Sequence, residues 1–135
     1  MPRHASEAIA LWVAHTYVID CADFTPYLWI SSPARECGKS TLLELLAQLA
    51  HRAQLTGGIT AAALYRRIDR LRPTMLLDEL DAQLRSDAGE SLRRVLNTGF
   101  ARSGKMTICI GDAHEDKDFA TFCPKVLAGI GRLWD

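Results

Sequence analysis

Apolar positions follow two different spacings along this chain, and their alternation predicts helices and strands in turn. Short apolar runs of strand length lie at 27–30, 74–77 and 106–110. Segments with an apolar residue every three or four positions lie at 6–18, 39–54, 61–72 and 87–98. Strands that alternate with helices predict an α/β fold of three layers around a mostly parallel sheet.

Capping and breaking residues set the expected limits of these helices. Ser6 and Thr60 are suitable N-caps, and Pro73 ends the helix that Thr60 begins. The helix that starts at Lys39 is expected to reach about Gln54. Its leucines leave only a narrow polar stripe, so we expect this helix to be mostly buried.

The last third of the sequence predicts a β-hairpin near 106–123. A strand at 106–110 is followed by a polar turn at 111–117 and a returning strand at 119–123. A last apolar run at 126–130 is closed by Gly131. No repeat or low-complexity linker divides the chain, so residues 1–135 are expected to form a single domain.

Composition narrows the classes of protein to which the chain can belong. It has 135 residues, 48% of them hydrophobic and 24% charged, which excludes a disordered tail and a disulfide-dense scaffold. Its 16 basic residues balance 16 acidic ones, so a globally basic nucleic-acid binder is excluded and a local basic patch is not. No apolar run approaches the length of a membrane span. The four cysteines lack metal-site spacing and predict free thiols in a reducing cytoplasm.

The strongest chemical signal is a loop between the run at 27–30 and the helix that begins at Lys39. A strand, a loop with Gly-Lys-Ser and a helix in this order are typical of a phosphate-binding P-loop. Backbone N–H groups around Gly38 would bind ATP phosphates, Lys39 would add a full positive charge, and Ser40 would ligate Mg²⁺. Pro33 stands where the consensus has glycine, so the loop entry must differ from the common form. The predicted cofactor-binding residues are Pro33, Ala34, Arg35, Glu36, Cys37, Gly38, Lys39, Ser40 and Thr41.

Two carboxylates directly follow the apolar run at 74–77. Asp78 is predicted to ligate Mg²⁺, and Glu79 is predicted to orient or deprotonate the attacking water. Solvated loop acids would give the same pattern. Asp81 nearby is interpreted as an acid at a helix N-terminus.

Several weaker features leave their alternatives open. Asp112, His114 and Glu115 resemble metal ligands but also fit a polar hairpin tip, which could contact DNA through the flanking Arg102, Lys105 and Lys117. The arginines of 66–72 fit a solvated helix face or a contact with a subunit or nucleic acid. Cys37 is either a passive loop residue or a redox-sensitive thiol.

The chain resembles a family of P-loop ATPase domains of unassigned function from bacteria, phages and mobile elements, often associated with primase or helicase-like regions. The likeness covers nearly the whole chain and includes Gly38-Lys39-Ser40-Thr41, Leu76-Leu77-Asp78-Glu79 and Gly111-Asp112-Ala113-His114-Glu115. Further similar segments are 4–5, 10–13, 15–16, 25–28, 32–33, 42–43, 96–99, 119–122 and 127–131.

The resemblance implies an ATPase core similar to AAA+ proteins and superfamily-3 helicases. It implies action on DNA in the replication of a phage or mobile element, and assembly into a homo-oligomeric ring. Proline at position 33 is normal in that family. The family's domain continues past the residue that matches Asp135, so an arginine finger and a lid are expected to lie outside these residues, and ATP turnover by them is expected to be weak. A polar sensor residue would be expected near Gly129 and Gly131.

Two other functions fit the same residues. One is a small-molecule kinase built on a P-loop, which would need an acceptor pocket and an arginine-bearing lid. The other is a truncated, non-catalytic module that binds nucleotide or a partner.

Overall fold

A computed structural model describes residues 1–34 and 38–132 of the chain. The helices are α1 (Arg3–Tyr17), α2 (Lys39–Leu49), α3 (Ala61–Leu71), α4 (Leu80–Leu84) and α5 (Gly89–Thr98), with one 3₁₀ turn at Ile19–Cys21. The strands are β1 (Leu28–Ser32), β2 (Ala53–Thr56), β3 (Thr74–Leu77), β4 (Lys105–Ile110), β5 (Glu115–Ala120) and β6 (Lys125–Ile130).

Four of the strands form one parallel sheet in the order β1-β6-β3-β2. The strand β6, which comes last in the chain, lies between β1 and β3 and pairs in parallel with both. All four carboxyl ends therefore lie along one edge of the sheet. This confirms the predicted α/β class with a parallel sheet.

Hydrophobic side chains fill both faces of the sheet. Leu76 of β3 packs with Trp12 of α1 and with Leu43 and Leu46 of α2 on one face. Met75 and Leu77, which point the other way, pack with α3, α4 and α5 on the opposite face. Every residue of β3 is buried, as expected for a parallel strand covered by helices on both sides.

The predicted hairpin is present as an antiparallel pair of β4 and β5. It packs against α3, where the rings of Tyr65 and Phe119 have centroids 5.0 Å apart. The backbone N–H of Ala120 donates a hydrogen bond of 2.9 Å to the Asp69 carboxylate. The hairpin is therefore fixed to the helical layer at its base.

Several predicted limits are wrong. The first helix begins at Arg3 with Pro2 at the N-cap, so Ser6 lies inside it and caps nothing. The second helix ends at Leu49, and the residues expected to complete it include the first two of the edge strand β2. Its Leu45 and Leu49 are about half exposed, so α2 is not mostly buried. The N-cap at Thr60 is confirmed, because its hydroxyl accepts from the Ala63 N–H at 3.2 Å.

The C-terminal half also differs in detail from the prediction. The returning hairpin strand is Glu115–Ala120 rather than 119–123, so the turn is shorter than expected. The short helix α4 was not predicted, although Asp81 does lie in its first turn. Among the described cysteines, Cys21, Cys109 and Cys123 are free thiols. No helix within 1–34 and 38–132 has the length and apolar character needed to cross a membrane.

Candidate nucleotide-binding site

A cavity of about 570 Å³ opens at the carboxyl edge of the sheet, where α2 begins. This edge is where ligands bind in open α/β sheets. The lining residues come from the start of α2, the end of β3, the start of α4 and the end of β6: Gly38, Lys39, Ser40, Thr41, Asp78, Glu79, Asp81, Ala82 and Ile130. Four of the predicted phosphate-binding residues, 38–41, thus lie around the same cavity as Asp78 and Glu79, whereas Pro33 and Ala34 are not among its lining residues.

Gly38 is the N-cap of α2 and adopts a left-handed backbone conformation with φ of +79°. A side chain at this position would be strained although the space around it is open. Lys39, Ser40 and Thr41 form the first turn of the helix, where free backbone N–H groups and the helix dipole favour an anion. Pro33 and Ala34 follow β1, and the carbonyl of Ala34 accepts a 2.7 Å hydrogen bond from Ser32. The predicted contacts Arg35, Glu36 and Cys37 lie outside the described residues.

Lys39 and Asp78 form an ion pair across the cavity. The distance from Lys39 Nζ to Asp78 Oδ1 is 3.0 Å, and the two side chains are only 15% and 22% exposed. The same Oδ1 accepts a 2.8 Å hydrogen bond from the backbone N–H of Glu79. The carboxylate of Asp78 is therefore oriented by two donors and points toward the start of α2.

Glu79 has a backbone conformation that is unusual for its residue type. Its φ and ψ are 54° and 29°, in the left-handed region, and it is the N-cap of α4. A non-glycine residue in this region costs about 1 kcal/mol or more. The conformation turns the chain directly after β3, so that Glu79 is exposed on the wall of the cavity while Leu80 enters the core.

The residues present fit a magnesium ion that is held in part by its nucleotide. No group of three or more His, Cys, Asp or Glu side chains in the described part of the chain could hold a metal ion. Magnesium usually takes one or two carboxylates and completes its shell with waters and substrate phosphates. Asp78 and the hydroxyl of Ser40 supply oxygen ligands of this kind, and both also line a second cavity of about 210 Å³.

The structure adds residues to this site that the sequence analysis did not assign to it. Asp81 and Ala82 line the cavity from α4, and Ile130 lines it from the end of β6. The Asp81 carboxylate lies so close to Gly129 that a Cβ there would be 2.5 Å from its Oδ1. Residues 129–131 place no polar side chain where the resemblance leads us to expect a sensor.

The weaker predicted features separate into different environments. Arg102 donates hydrogen bonds to the carbonyls of Ile19 and Ala22, so it braces the loop before β1 rather than the hairpin tip. Lys105 pairs with Asp118 at 3.1 Å. The tip residues Asp112, His114 and Glu115 are exposed and form no metal-binding group within the described residues.

The buried titratable groups lie at the opposite end of β6 from the cavity. Lys125 is fully buried, and its ammonium donates to the carbonyls of Thr121 and Cys123 at 2.9 and 3.2 Å. Burial lowers the pKa of Lys125 and raises the pKa of the Cys123 thiol. Tyr27, 3.4 Å away, donates to the Leu96 carbonyl, and burial raises its pKa well above the ordinary range. This cluster joins the strands to α5 and does not reach the cavity.

Hairpin side chains facing away from α3 form a separate polar group. Asp118 accepts from Thr107 and Lys105, and these two hydrogen bonds lower the pKa of its carboxyl. The thiol of Cys109 donates to Asp116, which raises the pKa of that thiol.

A scan against protein-family models and a search of curated proteins both find no match to this chain.

Proposed function

We propose that this chain binds ATP with Mg²⁺ and hydrolyses it. The observation that carries the proposal is the 3.0 Å ion pair of Lys39 and Asp78 at the start of α2, with Glu79 beside it on the wall of the same cavity. A lysine at a helix N-terminus that faces a carboxylate at the end of a parallel strand is typical of P-loop NTPases.

Phosphate binding would use three features of the start of α2. The left-handed Gly38 turns the chain so that the helix N–H groups face the cavity, and the helix dipole adds partial positive charge there. Lys39 supplies a full charge once it leaves Asp78 for the phosphates. A cavity of about 570 Å³ is within the usual range for small-molecule sites.

In hydrolysis the two acids that follow β3 would have separate tasks. Asp78 and Ser40 would hold Mg²⁺, which when bound neutralises charge that develops on the phosphates. Glu79 would accept a proton from water as the water oxygen attacks the terminal phosphorus and ADP leaves. Its exposure on the cavity wall leaves room for that water.

The wider setting of this activity is proposed from the resemblance. An ATPase of that kind would act on DNA in the replication of a phage or mobile element, as part of a homo-oligomeric ring in the cytoplasm. Residues 1–135 would then supply the nucleotide site, and an arginine from a neighbouring subunit would complete it.

The proposal is tested by measuring free phosphate released from ATP with and without Mg²⁺. Glu79→Gln should leave ATP binding intact and lower turnover by about 10² to 10⁴, the usual contribution of a positioned base. Glu90→Gln is the matched control, because Glu90 is an exposed helix acid that does not line the cavity. Equal rates in the two variants would contradict the role of Glu79, and transfer of phosphate to an added alcohol without free phosphate would indicate a kinase.

A further inference from the structure

Another concave surface lies between α3 and the hairpin and has no role in the proposed nucleotide chemistry. It encloses about 630 Å³, and we call it the α3–hairpin groove. Its lining residues are Ala63, Arg66, Arg67, Asp69, Arg70, Ile110, Lys117 and Phe119. The groove brings together the arginine run of α3 and one lysine of the hairpin.

The groove is strongly cationic in a chain whose formal net charge is zero. Arg66, Arg70 and Lys117 are exposed, and Arg67 is half-buried. None of the four forms an ion pair with a side chain in the described parts of the protein. The one acid in the lining, Asp69, accepts from the Ala120 N–H and so is held at the hairpin base.

Apolar and aromatic surface lies beneath these charges. Phe119 is buried against Tyr65, and both the Arg66 guanidinium and the Lys117 ammonium lie over its ring, at 5.9 and 4.9 Å from the centroid. Ile110, 39% exposed, extends this surface toward the turn. Flat guanidinium groups above an apolar floor can stack on planar ligands as well as bind anions.

The two faces of the hairpin differ in charge because side chains alternate along each strand. Lys117 and Phe119 face α3, whereas Asp116 and Asp118 face the other way with Cys109 and Thr107. Glu115, next to the turn, is the one hairpin acid that alternation places on the groove side. Lys117 therefore adds to the arginines of α3 on one side of the hairpin, whereas Lys105 lies on the other side and pairs with Asp118.

We infer that the α3–hairpin groove binds the backbone of single-stranded nucleic acid. A positively charged groove whose guanidinium groups can stack on bases suits a single strand, because its phosphates and unpaired bases both need partners. A duplex offers convex backbone ridges, and its bases are read by elements that project into its grooves. Three of the four cations in the groove are arginines. This favours phosphate as the ligand, because a guanidinium binds phosphate with two parallel hydrogen bonds.

The α3–hairpin groove is a different surface from the hairpin tip that the sequence suggested as a DNA contact. Arg102 is held by the loop before β1 and Lys105 by Asp118, so of the three cations that flank the tip only Lys117 lines the groove. The groove shares no lining residue with the nucleotide cavity. Binding at the groove can therefore be measured without ATP.

The test is fluorescence anisotropy with a labelled oligothymidylate of about 15 nucleotides, within the range that single-strand-binding folds cover. Four phosphate contacts on a single strand predict a slope of about −2.8 in log K against log salt, so a fourfold rise in salt weakens binding about 50-fold. The double variant Arg66→Gln/Arg70→Gln should halve that slope, so the same fourfold rise in salt should weaken binding only about 7-fold. Lys117→Gln removes the one phosphate contact made by the hairpin and should reduce the magnitude of the slope by about 0.7.

Arg85→Gln/Arg94→Gln is the matched control, because it removes two exposed arginines that do not line the groove. It should bind like the wild type. Thermal unfolding of all these proteins without ligand verifies that they are folded, and the shift on adding ATP tests the nucleotide site separately. The inference is overturned if the wild type does not bind the oligonucleotide at low salt or if both double variants lose affinity equally. Tighter binding of a duplex, or equal competition by polyglutamate, would also overturn it and indicate a different partner.

Discussion

Replacing Lys39 with methionine tests the central contact of the proposed nucleotide site. Methionine keeps most of the apolar stem of the side chain and removes the ammonium that lies 3.0 Å from Asp78 Oδ1. The first expected effect is on the protein without ligand. The pair is partly buried, so breaking it should lower the free energy of unfolding by an amount between two limits. These are about 0–1 kcal/mol for an exposed pair and about 3–5 kcal/mol for a broken buried pair.

We expect a loss of about 1.5 kcal/mol without nucleotide, because Asp78 keeps the hydrogen bond from the Glu79 N–H. For a domain of this size that lowers Tm by about 6 °C. In the wild type, ATP·Mg²⁺ at 100 times its Kd should add about 2.7 kcal/mol, or about 10 °C. Lys39→Met should show almost none of this second shift.

The assay is thermal unfolding followed by circular dichroism, with and without ATP·Mg²⁺. Lys105→Met is the matched control, since Lys105 also pairs with an aspartate, at 3.1 Å, but on the hairpin and with both side chains more than half exposed. The control should change stability by less than about 0.5 kcal/mol and keep the full nucleotide shift. A Lys39→Met protein that gained as much from ATP as the wild type would refute the assignment.

Three further changes test other parts of the structure. Asp78→Asn should abolish the Mg²⁺-dependent part of ATP binding and leave Mg²⁺-free binding at least as strong, because Lys39 loses its carboxylate partner; calorimetric titration with and without a chelator measures both. Burial lowers the pKa of Lys125, so the unfolded chain binds more protons between that value and the ordinary one, and the free energy of unfolding should rise with pH there. Urea unfolding should show this rise in the wild type relative to Lys125→Met, and a pH-independent difference would contradict the lowered pKa. Gly99→Ala would place a Cβ 2.5 Å from the Thr121 carbonyl and should destabilise the fold by about 1–3 kcal/mol in the same assay.

The parts of the fold that the sequence predicted well are those with strong local signals. The apolar run Met75-Leu76-Leu77 followed by two acids identified β3 and the position of Asp78 and Glu79. The Thr60 hydroxyl and Pro73 marked both ends of α3. These features depend on neighbours in the chain, so the sequence expresses them directly.

The end of α2 and the strand β2 could not be predicted in this way. The helix stops at Leu49 because Ala50 turns to an extended conformation and Arg52 adopts a positive φ of 51°. Neither residue is a glycine or proline, and the apolar spacing continues past them. Tertiary pairing of Gln54 and its neighbours with β3 decides the outcome, and such pairing is not visible locally.

The sequence predicted the basic and acidic residues of the cavity but not the other residues that line it. Asp81 was correctly placed in a helix N-terminus, but only the turn made by the left-handed Glu79 brings it to the cavity. Ile130 joins the site because β6 inserts between β1 and β3, a long-range arrangement that no short motif encodes.

The central position of β6 makes its last residues a point from which new chemistry could be introduced. Ile130 pairs with Ser32 at the end of β1 and lies three residues beyond Leu127, which pairs with Leu77 at the end of β3. A polar side chain substituted there would lie in the wall of the cavity that the start of α2 and the acids after β3 also line. One substitution at the end of this strand would therefore add a polar group to the cavity wall while leaving the lining residues of α2 and the two acids unchanged.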